Sequence, residues 1–335
     1  MTTPLPYADL PEDAQVEALR PVALAAAEAF GLDVHRMEVV RHAYNTTFAV
    51  DDAAGRRVAL RVGTNSKSTA AHIDAQQAWV HAIGHETDVS VPDPLRTTSG
   101  SWWVAVPSEA LRRDVLVTGA SWLDGADAKE GDDSWARLLG RVTAVLHEHG
   151  RSWRLPEGTV LDRFDTPLLG DADVLDDAPG ITADEHAVLQ QAREVTEDAF
   201  ARLHDGATLF PVHADLHAGN LKWHDGRLSV FDFDDCGLGL PVLDLGISAF
   251  YLRDGRDSTE AELRAGYAEV APLPDVDPAD AEAVVAARQM LLANSLLESS
   301  TAELRALADG YAHTAVARLR HWLETGRFTL DPAPL

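Results

Sequence analysis

β-Branched and apolar residues cluster over 37–50 and 56–63 on either side of the turn-forming run Asp51-Asp52-Ala53-Ala54-Gly55. That pattern predicts two strands joined as a hairpin. From Thr69 to Ile83, apolar Ala71, Ile73, Ala75, Ala78, Val80 and Ile83 recur at helical spacing, and Val91-Pro92-Asp93-Pro94 marks a loop beyond them. Strands are predicted again at 102–106 and 114–118, so the first 120 residues read as a small sheet carrying one helix. After Trp122-Leu123-Asp124-Gly125 the period changes. Leu138, Leu139, Val142, Val145 and Leu146 form a helical stripe with Ser134 as the expected N-cap and Gly150 as the stop. A further helix is predicted over 183–203, and the C-terminal third, including 280–298 and 302–323, reads as wholly helical. The expected fold class is α+β, a β-rich N-terminal lobe followed by a helical one.

The densest cluster of chemically capable side chains is His213-Ala214-Asp215-Leu216-His217-Ala218-Gly219-Asn220, followed by Phe231-Asp232-Phe233-Asp234-Asp235. Between them Leu221-Lys222-Trp223 and Leu228-Ser229-Val230 flank Asp225-Gly226, and Asp-Gly between strand-like runs is a strong signal for a two-residue hairpin turn. Such a turn sets Asn220 opposite Phe231, one residue from Asp232, with facing Cα atoms about 4.5–5.5 Å apart. Adjacent strand residues point to opposite faces, so both can meet one ion only where the ladder frays. Magnesium takes oxygen ligands, often one or two from protein with water and phosphates completing the shell, and Asn220 and Asp232 suit it. Asp215 would lie in the loop entering the hairpin, in reach of an attacking hydroxyl. Phosphoryl transfer asks for little beyond positioning and charge neutralisation.

Composition narrows the field. Twenty-eight Lys and Arg against 54 Asp and Glu leave a net charge of −26, which repels nucleic acids and anionic membranes. That field can also attract a cationic substrate, although acidity spread over a whole chain more often serves solubility or salt tolerance. A chain of 335 residues allows two lobes with a real core. The lone Cys236 reads as a small buried side chain and gives no sign of an oxidising compartment. No signal-like N-terminus or long apolar run is seen, so a cytoplasmic location is expected.

The two motifs, with Asp244-Leu245-Gly246 beyond them, resemble the catalytic and metal-binding loops of the aminoglycoside phosphotransferase and choline kinase superfamily, relatives of the protein kinases. The run Phe231 to Cys236 is most similar to its bacterial homoserine-kinase-like and stress-response kinase branch. The resemblance implies a bilobal kinase-like fold with an N-terminal lobe over 1–117, a hinge at 118–125 and a helical lobe over 126–335. It implies an ATP- and Mg2+-dependent transfer of the γ-phosphoryl group to a hydroxyl of a small molecule such as an antibiotic, an amino alcohol or a hydroxy amino acid. It casts Asp215 as base, Asn220 and Asp232 as metal ligands, and His213 as a brace for the loop. Arg61 occupies the place of the phosphate-binding strand lysine, and Asn45, Thr46 and Thr47 that of the glycine-rich loop. Adenine would bond to backbone near Gly119 to Trp122, at Ala120 and Trp122. Gln76 stands where a glutamate partner for Arg61 is expected and cannot form that ion pair. His217 reads as a substrate contact or a surface residue, Asp234 and Asp235 as contacts to a cationic substrate or metal or as a solvated acidic loop, and Asp244 as an anchor for the catalytic loop. Two other readings compete. One is a degenerate kinase fold that binds nucleotide without transfer, and the other a metal-dependent hydrolase using His213, Asp215 and His217.

Overall fold

A computed structural model describes residues 5–128, 135–224, 226–253 and 257–332. The expected N-cap Ser134 and the turn residue Asp225 lie outside the described residues. Helix α1 (Glu12–Ala29) opens the fold, followed by β1 (Val34–His42), β2 (Thr46–Asp52), β3 (Arg57–Val62), α2 (Ala70–Glu86), β4 (Trp103–Ser108) and β5 (Arg113–Ser121). The five strands form one antiparallel sheet in the order β1-β2-β3-β5-β4. Two expectations need correction here. Residues 37–50 are not one strand: the chain reverses at Ala43-Tyr44-Asn45, where Ala43 N–H bonds the Asn45 carbonyl at 3.1 Å, so β1 and β2 pair with each other. The sheet also carries two helices, not one. Val16, Leu19, Val22, Ala23 and Ala26 of α1 recur every three or four residues and bury against Phe48, Val62, Val106, Val115 and Val117, which closes one face of the sheet.

Beyond the sheet come β6 (Ala126–Asp127), α3 (Ala136–Ser152), α4 (Ala183–His204), β7 (Phe210–Val212), β8 (Leu221–His224), β9 (Arg227–Val230) and β10 (Gly237–Gly239). Helices α5 (Pro241–Leu252), α6 (Asp257–Ala268), α7 (Pro278–Glu298) and α8 (Ala302–Thr325) complete the chain. The arrangement is the expected α+β one, an antiparallel sheet followed by a mainly helical region. The β8–β9 register pairs Leu221 with Val230 and Lys222 with Ser229, as the Asp-Gly turn implies. Strand β7 leads into 213–220 and β10 leads out of 231–236, and Gly237 pairs with Val212. Both polar loops are therefore pinned at each end by short ladders, which holds them side by side.

Helices α3 and α6 cross too closely for side chains. A Cβ on Gly140 would lie 1.9 Å from the Leu263 carbonyl oxygen, and one on Gly266 1.9 Å from that of Arg137. Both obstacles are backbone, so Gly140→Ala forces the helices apart. A loss of about 3 kcal/mol is expected from such overpacking, and urea unfolding of the variant beside wild type checks it. An unchanged midpoint would contradict the contact.

Candidate active site

The loop 213–220 turns through a left-handed residue, Ala214 at φ 61°, which an L side chain adopts reluctantly. Asp244, fully buried on α5, holds it there, accepting the Ala214 N–H at 2.6 Å on one oxygen and the His213 N–H at 3.1 Å on the other. His147 from α3 adds a 2.9 Å bond from Nε2. Burial alone would raise the Asp244 pKa, but the His147 bond, neighbouring histidine charge and the Ala214 amide outweigh it and hold the group below its ordinary value. Its stabilisation is therefore fully present above the unfolded carboxylate pKa of about 4 and is lost as pH falls through the lower folded value. Asp244→Asn should cost about 3 kcal/mol at neutral pH, and the gap to wild type should close below about pH 4. Denaturant titrations at several pH values test this, and a gap that grew on acidification would refute the assignment.

His213 is buried and lies 4.4 Å from the Phe233 ring. Its Nδ1 accepts the Asp215 N–H at 3.3 Å and its Nε2 bonds the Phe231 carbonyl at 3.2 Å, so it clasps the two loops together. Burial pushes its pKa down and keeps it neutral. With both nitrogens engaged, His213 has no lone pair to give a metal, and the hydrolase alternative built on His213, Asp215 and His217 loses its first ligand. Asp215 accepts from Asn220 Nδ2 at 2.7 Å, lies 3.5 Å from His217 Nε2, and forms a close ion pair with Arg288 of α7. Burial opposes ionisation, but the Arg288 charge and the His217 bond hold the Asp215 carboxyl well below the usual carboxylate range. His217 takes the Gly219 N–H on Nδ1 at 3.1 Å and stacks on Tyr251 at 4.3 Å. Tyr251 in turn accepts from Arg288 at 2.8 Å.

Asp232 sits at φ 66° just past β9, where the ladder ends and Phe231 N–H bonds the Asn220 carbonyl at 3.1 Å. This fraying lets Asn220 and Asp232 line the same cavity despite their near-opposite register. The cavity, of about 400 Å³, also takes in Asn45, Thr47, Arg61, Asp215, His217, Asp234 and Asp235. Arg61 reaches Asp232 at 2.7 Å and Asp234 at 2.5 Å. Asp234 further accepts from Asn45 at 2.8 Å and from Gln76 of α2 at 2.9 Å. The ion pair that Gln76 cannot make with Arg61 is thus made by Asp234, with the Gln76 amide tying α2 to the same carboxylate.

Three expected contacts are not brought into this cavity. Thr47 pairs with Arg61 and shares its face, whereas Thr46 pairs with Val62 and points the other way, bonding His42 at 2.8 Å and Thr64 at 2.7 Å. Ala120 lies inside a ladder, opposite Ala59 on one side and bridged to Pro94 on the other. Trp122 donates its N–H to the Arg57 carbonyl at 3.3 Å, and its ring carries the Arg57 guanidinium at 4.5 Å. Arg288 and Tyr251 were missed. Arg288 is a lone cation in the apolar run Val284 to Leu291 and is 5% exposed, and a charge on a helix's core face is a signal that could have found it.

These loops, strapped by Asp244 and facing a sheet that carries Arg61, belong to a known class: the chain is a member of the phosphotransferase enzyme family, whose sequence pattern matches residues 37–282. Among curated proteins it is similar to the amicoumacin kinase of Bacillus subtilis (strain 168), 27% identical over 197 residues. That match covers 56% of this chain and 55% of the relative, so the chain spans about half the length of that protein. Among solved structures, a microcompartment-associated aminopropanol kinase superposes with a TM-score of 0.74 at 25% identity, over 92% of this chain and 100% of the other. Amicoumacin kinase hAmiN, in complex with AMP-PNP, Ca2+ and Ami, shares the fold at 20% identity and a TM-score of 0.70, over 95% of each chain.

Proposed function

We propose that this chain transfers the γ-phosphoryl group of ATP to a hydroxyl of a small, amine-bearing molecule, with Mg2+ as the divalent ion, and that residues 1–117, 118–125 and 126–335 act as nucleotide lobe, hinge and catalytic lobe. The observation that carries the reading is the convergence of Asp215, Asn220, Asp232 and Arg61 on one cavity. The donor set fits a hard cation: both bonds from Asn220 to Asp215 come from Nδ2, leaving Oδ1, and Asp232 adds a carboxylate. Arg61 Nε is buried with no partner among the described residues, which suits a phosphate oxygen. When bound, the cation neutralises charge on the β- and γ-phosphates. Asp215 orients the acceptor hydroxyl. As the bond from its oxygen to the γ-phosphorus forms and the bond from that phosphorus to the bridging oxygen breaks, the hydroxyl proton passes to Asp215. A carboxylate held so acidic takes that proton late, once bond formation has acidified the hydroxyl. His213 braces the loops, and Thr47 and Asn45 face the phosphate end.

Pairing of the carboxylates points to the amine. Asp215 is matched by Arg288, and Asp232 and Asp234 by Arg61, whereas Asp235 opens into the cavity with no hydrogen bond or ion pair recorded for it among the described residues. Partial removal from water and then the Asp215 charge push its pKa up against the opposing Arg288 charge, although the residue stays solvent-exposed at the cavity mouth. An ammonium group placed there would favour the ionised carboxylate and pair with it. Of the similar proteins, one is named as an aminopropanol kinase, an enzyme for an amino alcohol, and one as an amicoumacin kinase. Asp235→Asn should raise KM for an amine-bearing acceptor by roughly 10- to 100-fold, the worth of a charge-assisted bond, while leaving KM for ATP unchanged; equal KM values for the acceptor would remove Asp235 from recognition.

The reading as a whole is tested by ATP consumption over a panel of amino alcohols, hydroxy amino acids and hydroxylated antibiotics, with the phosphorylated product identified by mass spectrometry and Asp215→Asn as the blank. A cation-dependent phosphate ester supports transfer. Nucleotide binding with wild-type turnover no greater than the blank on every member would leave a nucleotide-binding protein without transfer.

A further inference from the structure

Helix α2 presents His81 and His85 one turn apart, and their rings lie 4.1 Å from each other. Asp93, from the loop between α2 and β4, joins them, with Oδ1 3.1 Å from His81 Nδ1. One donor atom from each of the three lies within 4.8 Å of the others. This group lies outside the phosphotransfer cavity, and the chemistry proposed above makes no use of it.

Three features make it more than a surface ion pair. His85 Nδ1 bonds the His81 carbonyl oxygen at 2.8 Å. A carbonyl only accepts, so Nδ1 carries the proton and Nε2 presents its lone pair outward, the usual arrangement behind a metal-bound imidazole. Asp93 is fixed in place, its N–H donating to Ser121 Oγ at 2.8 Å and its carbonyl accepting the Ser121 N–H at 2.9 Å, between two prolines that stiffen the loop. His81 also rests against Trp102, 5.5 Å between rings, which limits its rotamers. The Arg96 guanidinium covers the Trp102 ring at 3.5 Å.

We propose that His81, His85 and Asp93 form a binding site for a borderline-soft divalent transition metal, Zn2+ or Co2+, separate from the hard-cation site of the cavity. Two imidazoles and one carboxylate on one side, with open positions toward solvent, form a donor set that suits such ions and not Mg2+. Bonds of about 2.0–2.2 Å bring tetrahedral ligand atoms to roughly 3.4 Å apart, within reach of small side-chain rotations. The bound ion would tie α2 to the segment 93–95, whose backbone pairs with β5 at Gly119 and Ser121. Because α2 also supplies Gln76 to Asp234, loading would stiffen the frame on which the nucleotide side of the cavity is built.

The test uses the untagged, metal-stripped 335-residue chain. Calorimetric titration with Zn2+, and with Co2+ followed by its visible absorption, should show one site with a dissociation constant on the order of micromolar. The double variant His85→Ala/Asp93→Asn should weaken that site by on the order of a hundredfold and abolish the Co2+ spectrum, with an unchanged circular-dichroism spectrum as evidence of folding. Zn2+ should also raise hydrogen-exchange protection over 93–95 and 119–121 in wild type and not in the variant. His186→Ala, at another exposed His–Asp contact, serves as control. Absence of binding, or equal affinity in wild type and double variant, overturns the proposal.

Discussion

Asp232→Asn is expected to lower kcat/KM with ATP and Mg2+ by at least about a thousandfold, equivalent to roughly 4 kcal/mol of lost transition-state stabilisation. Three contributions vanish together. On the proposed assignment the cation loses the Asp232 carboxylate, the Arg61 guanidinium loses a 2.7 Å partner, and the charge balance at the phosphate end of the cavity shifts toward positive. Asparagine is the better choice over alanine because residue 232 sits at φ 66°, a conformation that Asn tolerates and that costs Ala about 1 kcal/mol. Asp232→Gly provides the complementary control, as it relaxes the backbone and still removes the carboxylate. If charge at this position is what matters, both variants are inactive while melting near wild type, and raising the Mg2+ concentration does not restore the rate. Near-wild-type turnover by either would end the role assigned to Asp232, whatever the merits of the surrounding geometry.

Asp215→Asn should reduce kcat by about 10²- to 10⁴-fold, the range for loss of a positioned proton acceptor, with KM for ATP little changed. A complication comes from Arg288, which is buried and whose pKa is raised, despite burial, by its neighbours Tyr251 and Asp215. Removing the carboxylate strands a buried cation, and stability should fall by several kcal/mol. The double variant Asp215→Asn/Arg288→Met separates the two effects. It should recover most of the lost stability, because an apolar chain of similar length fills the space, and recover none of the activity. Thermal melts beside initial rates read both quantities. Restoration of activity in the double variant would mean that Asp215 served only to neutralise Arg288.

The contrast between Asp234 and Gln76 illustrates what a chain reveals before it is folded. The spacing of Asp215, Asn220 and Asp232 around an Asp-Gly hairpin was legible because a two-residue turn dictates register, and register dictates which side chains can meet. The periodic stripes of α2, α3 and α4 were legible because each buries one face, and α7 and α8 were legible as helices although α7 is buried all round from Ala283 to Leu291. Helix α1 was missed although its apolar spacing is regular, with a proline at each of positions 11 and 21 breaking the expected start and interior signals. The turn at Ala43-Tyr44-Asn45 was missed because β-branched and aromatic residues continue on both sides of it, and an uninterrupted strand-like run hides a reversal. Thr46 shows the limit most sharply: a hydroxyl next to the phosphate face belongs to the opposite side of the sheet once pairing sets the alternation.

What the amino-acid order alone determined, then, is local and periodic: the succession of sheet and helices, the hairpin that draws Asn220 toward Asp232, and the acidic loop that follows. The tertiary structure decided which charges neutralise one another, because Arg61 finds Asp234 across 173 positions of chain and Arg288 finds Asp215 across 73. Coulomb attraction and burial act through space and carry no trace of sequence separation. Which carboxylates pair with which cations is a property of the folded molecule.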